Sequence, residues 1–132
     1  MSSMSVSRVA SSSPYAPVIG FSSAVRAGSL VLVAGITAID SSGAIVGGDD
    51  PYAQTQEALR KIGDVLAEAG TDLSHVVQTR IYLIRPKHWA HVGRAHGEVF
   101  AENPPSATMV VVAGLLDPRM LVEIEAVAHL GL

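Results

Sequence analysis

Leu121-Val122-Glu123-Ile124-Glu125-Ala126-Val127 alternates with period two: Val122, Ile124 and Ala126 share one face, and Glu123 and Glu125 share the other. That pattern predicts a strand with one buried side. Upstream, residues 106–115 form a second apolar run, joined to residues 120–130 by the Asp117-Pro118 turn. Asn103-Pro104-Pro105 ends a helix marked by Trp89, Val92, His96, Val99 and Phe100. Arg85-Pro86 separates this helix from residues 76–84, β-branched and almost wholly apolar, as suits a strand buried on both faces. A longer helix is predicted over 51–69. Asp50 caps it, Pro51 opens it, Gly70 stops it, and Thr55, Leu59, Ile62, Leu66 and Ala69 recur at helical spacing. Between Ile19 and Thr37 two apolar runs flank Arg26-Ala27-Gly28-Ser29 and read as a hairpin, and Ala44 to Val46 reads as a short third strand.

The order β-β-(β)-α-β-α-β-β predicts an α/β (α+β) fold, a mixed β-sheet with two helices packed on one face. Leu30, Leu32 and Ile36 alternate with Val31 and Val33, and Val110 and Val112 alternate with Met109, Val111 and Ala113, so both faces of these strands are apolar. Two helices cover one face only. Another copy of the chain is the simplest cover for the second.

The 132 residues fit one domain, expected over residues 14–132 behind a flexible, serine-rich arm at residues 1–13 that lacks the apolar core of a secretory signal. An apolar share of 48% against 16% charged residues places the chain among globular proteins. The absence of cysteine excludes disulfides, thiolate nucleophiles and iron–sulfur ligation, and makes the cytoplasm the expected compartment. A net charge of −3 with 5% aromatic residues lacks the basic footprint and stacking platforms of nucleic-acid binders. Apolar runs fall well short of the roughly 20 residues that span a bilayer, so no membrane contact is expected. His88, His91 and His96 do not share a helix face at about 100° per residue. No metal and no cofactor is predicted.

The ending Pro105-Ser106-Ala107-Thr108-Met109-Val110-Val111-Val112, with Asp117-Pro118-Arg119-Met120-Leu121-Val122-Glu123-Ile124-Glu125-Ala126-Val127-Ala128, resembles the C-terminal signature of the Rid family. These are the YjgF-type reactive-intermediate imine deaminases, formerly called endoribonuclease L-PSP. The likeness extends to Gly20 to Gly35, with Ala24-Val25-Arg26-Ala27-Gly28, and to Gln54, Leu59 and Glu68-Ala69-Gly70. It implies a chorismate-mutase-like subunit in a homotrimer with inter-subunit clefts. It also implies cofactor-free hydrolysis of 2-iminoacids or their enamine tautomers, small-molecule metabolites, to 2-oxoacids and ammonia.

Carried over residue by residue, the resemblance makes Glu123 the catalytic candidate, a carboxylate that orients or deprotonates water. Phe21, Ala34, Gly35, Gly93 and Ala107 become the substrate-binding positions. Of the family's residues, Gly35 and Glu123 are retained. The tyrosine falls on Phe21, the serine on Ala34, the asparagine on Gly93 and the carboxylate-clamping arginine on Ala107. An arginine–carboxylate hydrogen bond is worth about 1.5–3 kcal/mol, so ordinary 2-iminoacid deamination is not expected. Arg80 shares a strand face with Gln78 and Tyr82, and either pairs with Glu123 or Glu125 or acts as a replacement anion clamp. Two functions stay open: an imine or enamine hydrolase, and a non-catalytic small-molecule-binding or regulatory trimer. For Glu123 itself, the alternative to a site role is a solvated strand face.

Overall fold

The computed structural model describes residues 5–131. Its elements are β1 (Val6–Val9), α1 (Ala16–Ile19), β2 (Ala24–Ala27), β3 (Leu30–Ile36), α2 (Pro51–Ala69), β4 (Val76–Leu83), α3 (Trp89–Phe100), β5 (Ser106–Val111) and β6 (Val122–His129). They build one six-stranded sheet of order β1-β2-β3-β6-β4-β5. Only the β4–β5 pair is parallel, as the crossover through α3 requires.

The core forms where α2 and α3 meet one sheet face. Val31 and Val33 of β3, Ile81 and Leu83 of β4, and Val122, Ile124 and Ala126 of β6 pack with Leu59, Ile62 and Leu66 of α2 and Val92 and Phe100 of α3. Each fully buried large aliphatic side chain contributes about 1.5–3 kcal/mol. Helix α2 has the bounds its sequence predicts. The Asp50 carboxylate accepts from the Tyr52 and Ala53 amides at 2.9 and 3.3 Å, and Gly70 closes the helix at φ 95°.

Gln54 joins three segments from a fully buried position on α2. Its amide nitrogen donates to the Gly48 and Arg119 carbonyls at 2.6 and 2.9 Å, and its amide oxygen accepts from the Leu121 N–H at 2.9 Å. The entry into β6 is thereby fastened to the start of α2.

Four features depart from the sequence reading. Residues 6–9, expected within a flexible arm, form the edge strand β1, paired from Val6↔Ala27 to Val9↔Ala24, with Val9 against the core. Val6-Ser7-Arg8-Val9 is too short to show a readable period, and its partner lies some twenty residues away. The beginning of that arm, residues 1–4, falls outside the described residues. Helix α1 was not predicted, and residues 44–46 contribute a single bridge, Ile39↔Ile45, instead of a strand. Strand β5 ends at Val111, short of the 115 expected, and the chain then passes through the Asp117-Pro118 turn into β6, which lies between β3 and β4.

The open sheet face is less apolar than the alternation implies. Leu30 and Leu32 are 44% and 47% exposed and Val110 is also exposed, but β4 and β6 place Gln78, Arg80, Tyr82, Glu123 and Glu125 in the centre of that face. Ile36 leaves it altogether. A register shift between Val33 and Ile36 turns Ile36 into the core.

Gln54→Ala is expected to lose about 3 kcal/mol of stability in urea unfolding, since it strands two carbonyls and a buried N–H. A loss below about 1 kcal/mol would contradict the role of this amide as the tie between α2 and β6.

Candidate functional site

A cavity of about 640 Å³ lies between the chain before α1, the Ala34-Gly35 segment at the irregularity in β3, the outer face of α2 and Glu123 of β6. Four of the seven positions singled out in the sequence line it: Phe21, Ala34, Gly35 and Glu123.

Glycine at 35 is a matter of space. An added Cβ would lie 2.9 Å from Glu123 Cδ, inside any real carbon contact, so only glycine lets β3 and the carboxylate come this close. Glu123 is partly buried, and no hydrogen bond from the described residues reaches its carboxylate. Burial pushes its carboxyl above the ordinary value of 4.5, and the nearby charge of Glu125 adds to this. The two acids of β6 therefore differ in kind. Glu125 accepts a short hydrogen bond from the Tyr82 hydroxyl, whereas Glu123 has its oxygens free for water or a ligand.

Another wall of the cavity is the outer side of α2, where Glu57, Lys61, Asp64, Val65 and Glu68 follow one another at helical spacing. Lys61 is half-buried and donates to the Thr37 and Ile39 carbonyls at 2.7 and 2.6 Å, holding the chain that leaves β3. Burial lowers its pKa. Arg60 forms a two-pronged contact with Glu57 at 2.7 and 2.8 Å and reaches Asp64 at 2.8 Å. Sequence reasoning passed over Lys61, because a lysine at that spacing also suits a solvated helix face. Its i,i+4 relation to Glu57 and the common face with Glu68 were the available signals.

The other three candidates lie outside this cavity within one chain. Ala107 sits on the edge strand β5 opposite Thr79, exposed. Gly93 is on α3, where a Cβ would meet no atom within 4 Å. Arg80 is exposed on the open sheet face across from Glu125, and among the described residues no ion pair includes it, so neither carboxylate pairing considered for it forms. His96 is a packed histidine: Nε2 lies 2.9 Å from Thr79 Oγ1, the ring rests against Phe100, and burial lowers its pKa. Among the described residues no three His, Cys, Asp or Glu side chains converge as a metal site, and no helix is long and apolar enough to cross a membrane.

Comparison with known proteins follows the same lines. Residues 11–130 match the family described as Endoribonuclease L-PSP. The chain is 40% identical over 131 residues to the SCO2049 protein of Streptomyces coelicolor, covering 99% of this chain and 97% of that one. The crystal structure of Rv2704 from Mycobacterium tuberculosis, a member of the YjgF/YER057c/UK114 family, superposes with a TM-score of 0.86 at 43% identity. That match spans 95% of this chain and 99% of that one. YyfA of Yersinia pestis, from the Rid protein family, superposes with a TM-score of 0.84 at 25% identity over 95% and 99% of the two chains.

The raised Glu123 value sets a pH dependence of stability. The folded chain holds this proton more tightly than the unfolded chain, so the contribution of Glu123 to stability falls as pH climbs from about 4.5 through the raised value. Glu123→Gln removes that fall. Melting temperatures measured from acid to neutral pH are expected to show the variant gaining on the parent chain as pH rises; a parent that gains on the variant would contradict the assignment.

Proposed function

The chain belongs to the Endoribonuclease L-PSP family, and we propose that it is a cofactor-free hydrolase of small imines or enamines with Glu123 as its general base. The observation that carries this reading is the free, partly buried Glu123 carboxylate at the wall of a cavity large enough for a metabolite. A carboxyl held above its ordinary value can take a proton from water and return it within one reaction cycle. Water held by Glu123 would attack the imine carbon; its oxygen bonds to carbon as the C=N electron pair moves to nitrogen. Glu123 passes that proton to nitrogen, then takes the proton of the new hydroxyl as its O–H pair forms the carbonyl and delivers it to nitrogen as the C–N pair moves there, so imine plus water gives a carbonyl compound plus ammonia.

Ala107 limits the substrate range. Its methyl group cannot pair with a carboxylate, so 2-iminoacids lose the anchor that the resemblance associates with arginine at this position. We further propose a cytoplasmic homotrimer with no nucleic-acid partner. The half-exposed Leu30 and Leu32 support the assembly, since a second and third copy would cover them. The acidic, aromatic-poor composition supports the absence of nucleic acid. Phe21 and Ala34 stand where hydroxyls would supply polar contacts to a substrate, which favours the alternative of a trimer that binds small molecules without turning them over.

Light scattering is expected to give three times the chain mass of 13.7 kDa; a mass of 13.7 kDa would overturn the assembly. In a semicarbazide competition assay, 2-iminoacids generated from serine by a dehydratase should be hydrolysed little faster than in buffer. Imines without a carboxylate should turn over, and Glu123→Gln should slow this by about 100-fold or more. Binding at the cavity with no turnover of any imine would replace the hydrolase with the binding trimer.

A further inference from the structure

The cavity carries the wrong charge for an anionic ligand. Glu123, Asp40, Glu57, Asp64 and Glu68 all line it, and the cations among its lining residues are Lys61 and Arg60. Arg60 is paired with Glu57 and Asp64, and Lys61 donates to the Thr37 and Ile39 carbonyls, so Glu123, Asp40 and Glu68 are the lining acids left without an ion-pair partner among the described residues. No lining residue offers a free guanidinium or ammonium to a carboxylate, and position 107 holds a methyl group in every copy of the chain. Apolar walls from Phe21, Ile36, Val65 and Met120 complete the space. A concave, partly apolar site lined by excess negative charge concentrates cations and repels anions.

We infer that the cavity around Glu123 selects ligands with a positively charged carbon–nitrogen group and no carboxylate, namely iminium ions derived from simple amines instead of amino acids. This rests on the reading of Glu123 as the base of the site and gives that reading its substrate class. The reaction balances without a co-reactant other than water. The oxygen of water bonds to the iminium carbon, the π pair moves to nitrogen, and the C–N bond then breaks with its pair on nitrogen. Both water protons end on nitrogen through Glu123, so iminium plus water gives a carbonyl compound plus ammonium. The nitrogen is positive in the iminium ion, neutral once the π pair has moved to it, and positive again as the departing ammonium, and both charged forms lie in the field of the acids that line the cavity. Glycine at 35 lets the Glu123 carboxylate lie against the β3 backbone at the cavity wall, with the reacting carbon approaching from the cavity side.

Benzamidine, benzoate and benzamide share one planar frame and carry positive, negative and no charge, and the amidinium reproduces the C=NH₂⁺ unit of an iminium ion. Their affinities for the full chain can be read from amide chemical-shift titrations. Benzamidine is expected to bind about tenfold or more tightly than benzoate, to perturb Gly35 and Glu123, and to weaken several-fold as salt screens the site. Glu123→Gln should lower benzamidine affinity by about tenfold and leave benzamide unchanged. Glu68→Gln, at the exposed rim, should cause a smaller loss in the same direction and serves should the first variant misfold. Benzoate binding at Gly35 and Glu123 as tightly as benzamidine would overturn the charge class while leaving the site intact. Binding of none of the three, or binding away from Gly35 and Glu123, would overturn the site as well.

Discussion

Strand β6 is hydrogen-bonded along both edges, to β3 on one side and β4 on the other, and it buries Val122, Ile124, Ala126 and Ala128 against the helices. A slip of one residue would drive Glu123 and Glu125 into that core, at a cost far above any gain in pairing. The register is therefore held from both sides. Gln54 anchors the entrance to the strand from within α2, so the position of Glu123 follows from helix capping, core packing and sheet pairing together.

Within that frame, two acids one period apart on the same face take different parts. The Tyr82 hydroxyl satisfies Glu125, while Glu123 lines a cavity beside the register shift of β3, where glycine at 35 makes room for its carboxylate. Partial burial without a partner is unfavourable for a carboxylate, and the core described above carries that penalty. Such uncompensated groups are where function is sought, since evolution tolerates the cost only where something is gained.

Much of this was legible in the sequence for identifiable reasons. Helix α2 announces itself through Asp50, Pro51 and Gly70, and β6 through strict alternation, so both elements and the facing of Glu123 could be read directly. The grouping of Phe21, Ala34, Gly35 and Glu123 came from resemblance, and the chain brings these four together. Strand β1 was not readable, because four residues stabilised by a distant partner leave no local period. The bulge that turns Ile36 inward was equally hidden, since alternation assumes a regular strand. Lys61 and Arg60 look like any solvated helical cations until the fold shows which carbonyls and carboxylates occupy them.

Glu123 is a partly buried carboxylate, free of hydrogen-bond partners among the described residues and holding its proton above the ordinary range. A carbon-detected NMR titration of the Glu123 side-chain carboxyl in the full chain tests this state directly. A midpoint above 4.5 is the predicted result. A midpoint at or below 4.5 would mean that a partner stabilises the charge, and would contradict the account.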